Sequence, residues 1–207
     1  MLTWLYRPQC AACRELSTEP LCSACAVTLL EASEPRAVGA LERVVAPWRF
    51  GGELATAIRR LKFTGATDVA RTLAPLWSPL VAAAIDELGS RALVVPVPLH
   101  WRRRISRGFD QAWLLAAHAC AHARVARPAI VLRRVRAAPA QSTLSAADRV
   151  ANLVDAFIVR DVRAVADRPV ILVDDVVTTG ATLAAAAEPL ARAGATRVIG
   201  IAVARTE

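Results

Sequence analysis

Lysine is almost missing from this chain of 207 residues: Lys62 stands alone against 25 arginines. With 44 alanines beside it, that skew reflects genome base composition, so an alanine-rich stretch says little by itself. Long apolar runs are missing too. The stretch Thr72–Ile85 stops at Asp86, short of the roughly 18 residues of a membrane span, so membrane insertion is not expected. Residues Met1–Arg7 lack a basic start followed by a long apolar segment. A secretory leader is therefore not expected, and the cytoplasm is the expected location. Neither an internal repeat nor a low-complexity linker is visible.

What is present describes a folded chain. Hydrophobic residues make up 55% and charged residues 21%, which excludes a disordered polymer. The length suits one ordinary domain with a small appendage, and it is enough to bury a core without disulfides. The formal charge is +8, and it is regional. Between Leu88 and Ala147 ten arginines face a single acid, Asp110, so that window carries +9 and the rest sums to −1. Regional basicity points to a polyanion: the phosphates of a small ligand or a nucleic-acid backbone.

Periodicity predicts alternating strands and helices. A strand is expected through Val44–Trp48, and a helix over Glu53–Leu61 with Leu54, Ala57, Ile58 and Leu61 on one side. A second helix starts at Asp68 and ends before Gly89, kinked or broken by Pro75 and Pro79. Ala92–Val95 reads as a buried strand, Gln111–Arg124 as a helix and Ile130–Leu132 as a strand. Ala137–Ala147 is a small-residue loop. Pro169–Val173 is a strand, Leu183–Ala193 a helix closed by Gly194, and Arg197–Val203 a last strand. Apolar runs separated by helices indicate an α/β domain around a mostly parallel sheet.

Four of the five cysteines lie in residues 1–30, as Cys10-x2-Cys13 and Cys22-x2-Cys25. Four thiolates at this spacing suit one tetrahedral Zn²⁺. Without a leader, metal binding is favoured over two disulfides. Residues 1–30 are thus expected to form a zinc module whose role is structural or interactive. His118 and His122, spaced i and i+4, have no carboxylate near them and suit ordinary surface or core placement. Cys120 between them suits burial.

The most informative segment is Val170–Leu183. An apolar strand runs into Asp174 and Asp175, then a loop with Thr178, Thr179, Gly180 and Thr182, then a helix. A loop entering a helix presents unpaired N–H groups and the positive end of the dipole, which suit a phosphate. Gly180 permits close backbone approach, and the threonine hydroxyls add donors. The carboxylates suit sugar hydroxyls or a Mg²⁺ hydration shell. The segment therefore describes a phosphate next to a diol, as in a ribose 5-phosphate. The bland reading makes the aspartates and threonines mere helix caps, but two adjacent carboxylates repel. A strand ending in two aspartates also suits an ATPase, yet no G-x-x-x-x-G-K-[ST] cradle is present.

The stretch Val170–Leu183 resembles the PRPP-binding motif of type I phosphoribosyltransferases. Pro96–His100, then Arg102–Arg104, then Arg107–Ala112 narrow the resemblance to the ComF family. Gln141, Leu144, Arg149, Asn152 and Ala156-Phe157 do the same, as do the paired cysteines. The resemblance implies a type I phosphoribosyltransferase fold over residues 31–207, behind the zinc module of residues 1–30. It implies that Asp174 and Asp175 contact the ribose, and that Thr178, Thr179, Gly180, Ala181 and Thr182 hold the 5-phosphate. Pyrophosphate falls to Pro98, His100, Arg102, Arg103, Arg104 and Arg107, with Lys62 reaching the phosphates and Mg²⁺ accompanying PRPP. Gln141 and Arg149 belong to a mobile hood that excludes water on closing.

The implied chemistry is transfer of phosphoribosyl to an unidentified acceptor with release of pyrophosphate, a glycosyltransferase reaction of nucleotide metabolism. The chain departs from the family pattern at Asp110, where Asn is usual, and at Ala138, where Thr often stands. The other reading is a non-catalytic ComF-like factor of competence and DNA uptake. It would hold single-stranded DNA or a nucleotide regulator, with competence or recombination proteins as partners. Trp101 beside three arginines suits a stacking platform for such a strand, though a wedged Trp is the commoner outcome. A homodimer follows from the resemblance alone.

Overall fold

The computed structural model describes residues 7–136 and 155–207. Along them run α1 (Ser23–Ala26), β1 (Arg36–Val38), β2 (Leu41–Val45), β3 (Trp48–Arg49), α2 (Gly52–Phe63), α3 (Asp68–Leu88) and β4 (Leu93–Pro96). Next come α4 (Trp101–Arg107), α5 (Gln111–Ala123), β5 (Leu132–Arg134) and β6 (Phe157–Val159). The last are α6 (Val162–Val165), β7 (Val170–Val177), α7 (Ala181–Arg192) and β8 (Val198–Arg205).

Alternation along the central strands builds two cores. Ile171 and Val173 of β7, with Ile199, Ile201 and Val203 of β8, join α2, α3 and α5 on one face. Val170 and Leu172, with Val198 and Ala202, meet α7 on the other. Strands covered on both faces must be apolar on both sides, as these are. The sheet order is β1-β2-β8-β7-β4, and β3 continues beside β8. β2, β3 and β7 lie parallel to β8, and β4 lies parallel to β7; β1 runs antiparallel to β2. The mostly parallel α/β sheet expected from the sequence is therefore present. β5 and β6 pair antiparallel as a separate ribbon.

Local differences have local causes. The strand expected over Val44–Trp48 is interrupted at Ala46-Pro47, where proline has no N–H to donate. Its two pieces, β2 and β3, both pair with β8. α3 is one continuous helix of 21 residues despite Pro75 and Pro79. Neither proline has an N–H to donate to the carbonyl four residues back, and residues 71, 75 and 79 are all exposed, where water can reach the backbone. The buried side, with Leu73, Trp77 and Val81 at 0% exposure, holds the helix continuous past both prolines. In α2, Leu54, Ala57, Ile58 and Leu61 are all buried, as their spacing requires.

β7 is longer than its apolar run. β4 pairs with it only from Val170 to Val173, and Val97 closes the ladder by donating to the Val173 carbonyl at 2.8 Å. β7 then continues beside β8 alone, to Val177 against Arg205. Asp174 and Asp175 thus lie where one neighbouring strand has ended. Such crevices at the carboxyl ends of parallel strands are where open α/β sheets place ligands.

Candidate functional site

The two aspartates leave the strand in different surroundings. Asp175, 4% exposed, follows Ile171 and Val173 on the α2 face. Lys62, in the last turn of α2, places Nζ 2.8 Å from its Oδ1. Its Oδ2 is buried without a hydrogen-bond partner among the described residues. An orphaned carboxylate oxygen is costly, and a donor from a ligand would relieve it. Asp174 accepts the Asp175 N–H at 2.8 Å. Burial, and then repulsion from Asp175, raise its carboxyl to about 7. Two adjacent carboxylates thus share the crevice with only one lysine.

A basic wall stands opposite. β4 ends at Pro96, and the chain turns through half-buried Pro98 and Leu99 into α4. His100 is 5% exposed and caps α4, its Nδ1 accepting the Arg102 N–H at 3.3 Å. Burial, with Arg134 and Arg102 nearby, lowers its pKa. Gly108 closes α4 in the left-handed conformation, φ +78°. Spacing along α4 sorts its arginines: Arg102 and Arg104 are exposed, while Arg103 and Arg107 are half-buried. Arg107 donates to Gln111 Oε1 at 3.0 Å and lies over the Phe63 ring at 5.4 Å. Burial lowers its pKa, and Asp175 acts against that. Arg134 of β5 feels both Arg103 and Asp174, and burial is the largest influence lowering its pKa.

Asp110 explains itself structurally. Its Oδ1 caps α5 through the Trp113 N–H at 3.2 Å, and Oδ2 accepts the Leu99 N–H at 2.9 Å. It ties the turn after β4 to the start of α5. Burial raises its pKa, against which the Leu99 and Trp113 N–H groups act.

The threonine loop lies beyond β7. Thr178 and Thr179 are exposed and Gly180 is buried. Gly180 has φ +83°, and a Cβ there would meet Val38 Cγ1 at 3.1 Å, so both conformation and space demand glycine. Thr179 Oγ1 accepts the Ala181 N–H at 3.3 Å. Thr182 sits in the first turn of α7, a helix of 12 residues. Arg36 of β1 donates from Nη2 to the Thr178 carbonyl at 3.2 Å.

The four N-terminal cysteines converge. One sulfur from each of Cys10, Cys13, Cys22 and Cys25 lies within 4.8 Å of every other, and Cys13 and Cys22 sulfurs are 3.6 Å apart. Tetrahedral Zn–S bonds of about 2.3 Å set sulfurs about 3.8 Å apart, so the cluster fits a metal ion such as Zn²⁺. Burial opposes ionisation of Cys10, but backbone donors from Cys22, Cys13 and Ala12 outweigh it and bring the thiol to about 6. The module is not isolated. Cys10, Ala11, Ala12, Leu21 and Cys25 share the core of α2 and α3. Arg60 of α2 donates to the carbonyls of Ala11 and Ala12. Thr28 Oγ1 donates to Cys25 O and accepts the Glu53 N–H at 3.0 Å. Both ends of α2 are thereby fastened to the module.

Lys62, Arg107, Asp174 and Asp175 come together around one crevice, with Arg134 near enough to feel Asp174 and Arg103 next to Arg134; the threonine loop follows in the chain. Arg102 and Arg104 are exposed, near His100 and Asp110 respectively, and the His100 ring caps α4. Gln141, Arg149 and Ala138 lie outside the described residues. Reasoning from the sequence missed Arg36 and Arg134: each is one arginine among 25, with no motif around it. No helix among the described residues is long and apolar enough to cross a membrane.

Comparison with known proteins matches a phosphoribosyl transferase domain to residues 114–206. The DNA utilization protein YhgH of Salmonella typhimurium is 36% identical over 159 residues, 76% of this chain and 69% of that protein. YhgH of Escherichia coli K12 is 35% identical over the same shares. Competence protein F of Haemophilus influenzae is 36% identical over 133 residues, 63% of this chain and 58% of its own length.

Proposed function

We propose, for a chain that belongs to the ComF family of phosphoribosyltransferase-like proteins, that this crevice binds PRPP or a related ribose 5-phosphate. The observation that carries the reading is the buried, unpartnered Oδ2 of Asp175, one short loop before the N-terminus of α7. A ribose hydroxyl donating to that oxygen places its 5-phosphate over Thr178–Thr182, where α7's unpaired N–H groups and the threonine hydroxyls are. Asp174 accepts the neighbouring hydroxyl. The pyrophosphate then faces α4 and its half-buried Arg103 and Arg107. Lys62 holds Asp175 in place and contributes positive charge beside it.

Displacement of pyrophosphate at C1 would leave an oxocarbenium-like ribose. The chain's part is to hold the ribose and to stabilise the departing charge with guanidinium groups. The oxygen donors of Asp174 and Asp175 suit a hard cation, so Mg²⁺ accompanying the pyrophosphate would meet carboxylate and water ligands here. The four-cysteine module would hold Zn²⁺ as a structural ion, and residues 1–30 and 31–207 form the two units of the chain. The acceptor is not legible, and catalysis itself is part of the proposal.

One observation favours a second reading, a DNA-handling protein without catalysis. α4 buries none of its residues, and it presents Trp101 at 54% exposure and Ile105 at 73%, with Arg102 over the Trp101 ring at 5.3 Å. An exposed aromatic among arginines suits stacked bases and a phosphate backbone. The names of the relatives speak of DNA utilization and competence. The two readings separate in one experiment. Mg-PRPP at 100 times its Kd stabilises the folded chain by about 2.7 kcal/mol, a rise of roughly 5–10 °C in thermal midpoint. Asp174→Asn/Asp175→Asn removes that rise. Absence of stabilisation in the parent, together with salt-sensitive binding of a single-stranded oligonucleotide that survives the double substitution, would favour the second reading.

A further inference from the structure

The loop that would hold the 5-phosphate lacks a full positive charge of its own. A helix N-terminus supplies about half an elementary charge, and the threonines are neutral. Two aspartates stand just before it in the chain. Lys62 is taken up by Asp175, and Arg103 and Arg107 belong to the α4 wall. A phosphate dianion at the loop therefore needs a cation from elsewhere.

Edge strand β1 brings one. Arg36 donates from Nη2 to the Thr178 carbonyl at 3.2 Å. Two residues further along β1, Val38 packs on Gly180, with Cγ1 3.1 Å from the Cβ that glycine lacks. The strand is thus fixed over the loop at two points, one polar and one apolar. A guanidinium carries five N–H donors, and Arg36 spends one of them on the loop. Its residue is exposed, so the rest of that fork faces the space outside the loop.

A second arginine lies behind it. Arg205, 2% exposed, pairs in β8 with Val177, the residue before Thr178. Its donors reach neutral acceptors: Val44 O at 2.6 Å, Glu34 O at 3.0 Å and Ser33 Oγ at 3.4 Å. Its Nε is buried without a partner. Burial, and then the charge of Arg36, lower its pKa. Glu207, the acid nearest this pair by its influence, is bonded to Arg49 at 2.8 Å and to the Ser33 N–H at 3.1 Å. Among the described residues neither Arg36 nor Arg205 forms an ion pair. Two cations side by side next to a helix N-terminus are a positive excess that an anion would relieve.

We propose that Arg36 is a ligand of the phosphate held by the Thr178–Thr182 loop, with Arg205 as the buried charge behind it. The inference rests on the ribose-phosphate reading and extends it to a residue outside the sequence motif. It makes β1 part of the site: the dianion sits between α7's N-terminus and a guanidinium tethered to the loop backbone, which favours phosphate over an uncharged sugar terminus.

The test is calorimetric titration of the full chain with ribose 5-phosphate, and separately with inorganic pyrophosphate, for the parent, Arg36→Gln and Arg36→Lys. Arg36→Gln keeps a hydrogen-bonding side chain while removing the charge. Loss of a charge-assisted pair predicts that it binds ribose 5-phosphate roughly ten- to hundredfold more weakly, that Arg36→Lys recovers part of the loss, and that pyrophosphate affinity stays within about twofold of the parent. Unchanged thermal midpoints establish that the variants fold. Arg36→Gln binding ribose 5-phosphate as tightly as the parent overturns this inference and leaves the ribose-phosphate site standing. No ribose 5-phosphate binding by the parent overturns both.

Discussion

At the scale of single residues, Asp174 and Asp175 show how neighbours of one type diverge. Asp175 has a lysine at 2.8 Å, and Asp174 accepts its neighbour's N–H and feels its neighbour's charge, with Lys62 acting more weakly the other way. With the Asp174 carboxyl raised to about 7, against about 4 in an unfolded chain, the folded state binds a proton that the unfolded state has released. The contribution of Asp174 to stability therefore falls as pH rises from about 4 to about 7 and is flat above. Asp174→Asn should flatten that slope and stabilise the free protein at pH 8, measured by urea unfolding across pH, while weakening any ligand the pair holds. An unchanged slope would show that Asp174 carries no such strain.

The pair itself was legible in the sequence because it follows an apolar strand and precedes a threonine loop. Its lysine was not legible as a partner. Lys62 stood out by rarity, but nothing local says that α2 delivers it to β7. Arg36 and Arg134 were less visible still, since each is one of 25 arginines and neither lies in a motif. Asp110, read from the sequence as a charge out of place, is a helix cap that also pins the turn after β4.

Among the elements, α2 came through the sequence most completely and α4 least. The 3.6-residue spacing of Leu54, Ala57, Ile58 and Leu61 is enough to place α2 and its buried face. α4 has no apolar stripe to reveal it; only its caps, His100 and Gly108, mark it. Pro75 and Pro79 forecast a kink or a break in α3; the helix is unbroken, with both prolines on its exposed side and Leu73, Trp77 and Val81 buried on the other. The attachment of α2 to the cysteine module was also invisible, since it depends on Arg60 and Thr28 meeting backbone groups of another segment. That attachment has a consequence. A chelator should remove about one metal ion per chain. Amide exchange should then quicken in residues 8–28 and at both ends of α2, where Thr28 and Arg60 hold it. Faster exchange confined to the module, with α2 unaffected, would show that the contact is not structural.

Across the whole molecule, apolar runs in Val170–Val173 and Val198–Val203 announced a sheet covered on both faces, and the two cores bear that out. Strand order was beyond the sequence: nothing in β2 or β4 says which edge of the β7–β8 pair it will join. The regional charge did survive folding as a feature of shape. Arg107 of the basic window is half-buried and feels Asp175, with Arg103 half-buried on the same helix, while Arg102 and Arg104 are exposed. One short helix thus has an inner face suited to pyrophosphate and an outer face suited to a polyanion, and both readings of function draw on it.

The central claim is that the crevice at the end of β7 is a ribose-phosphate site built on Asp175. Calorimetric titration of the metal-loaded full chain with Mg-PRPP, beside Asp175→Asn, tests it most directly. The account predicts saturable binding by the parent and a loss of at least about tenfold in the variant, the cost of a charged hydrogen bond. A folded parent that takes up no Mg-PRPP, or a variant that binds it equally well, would contradict the account.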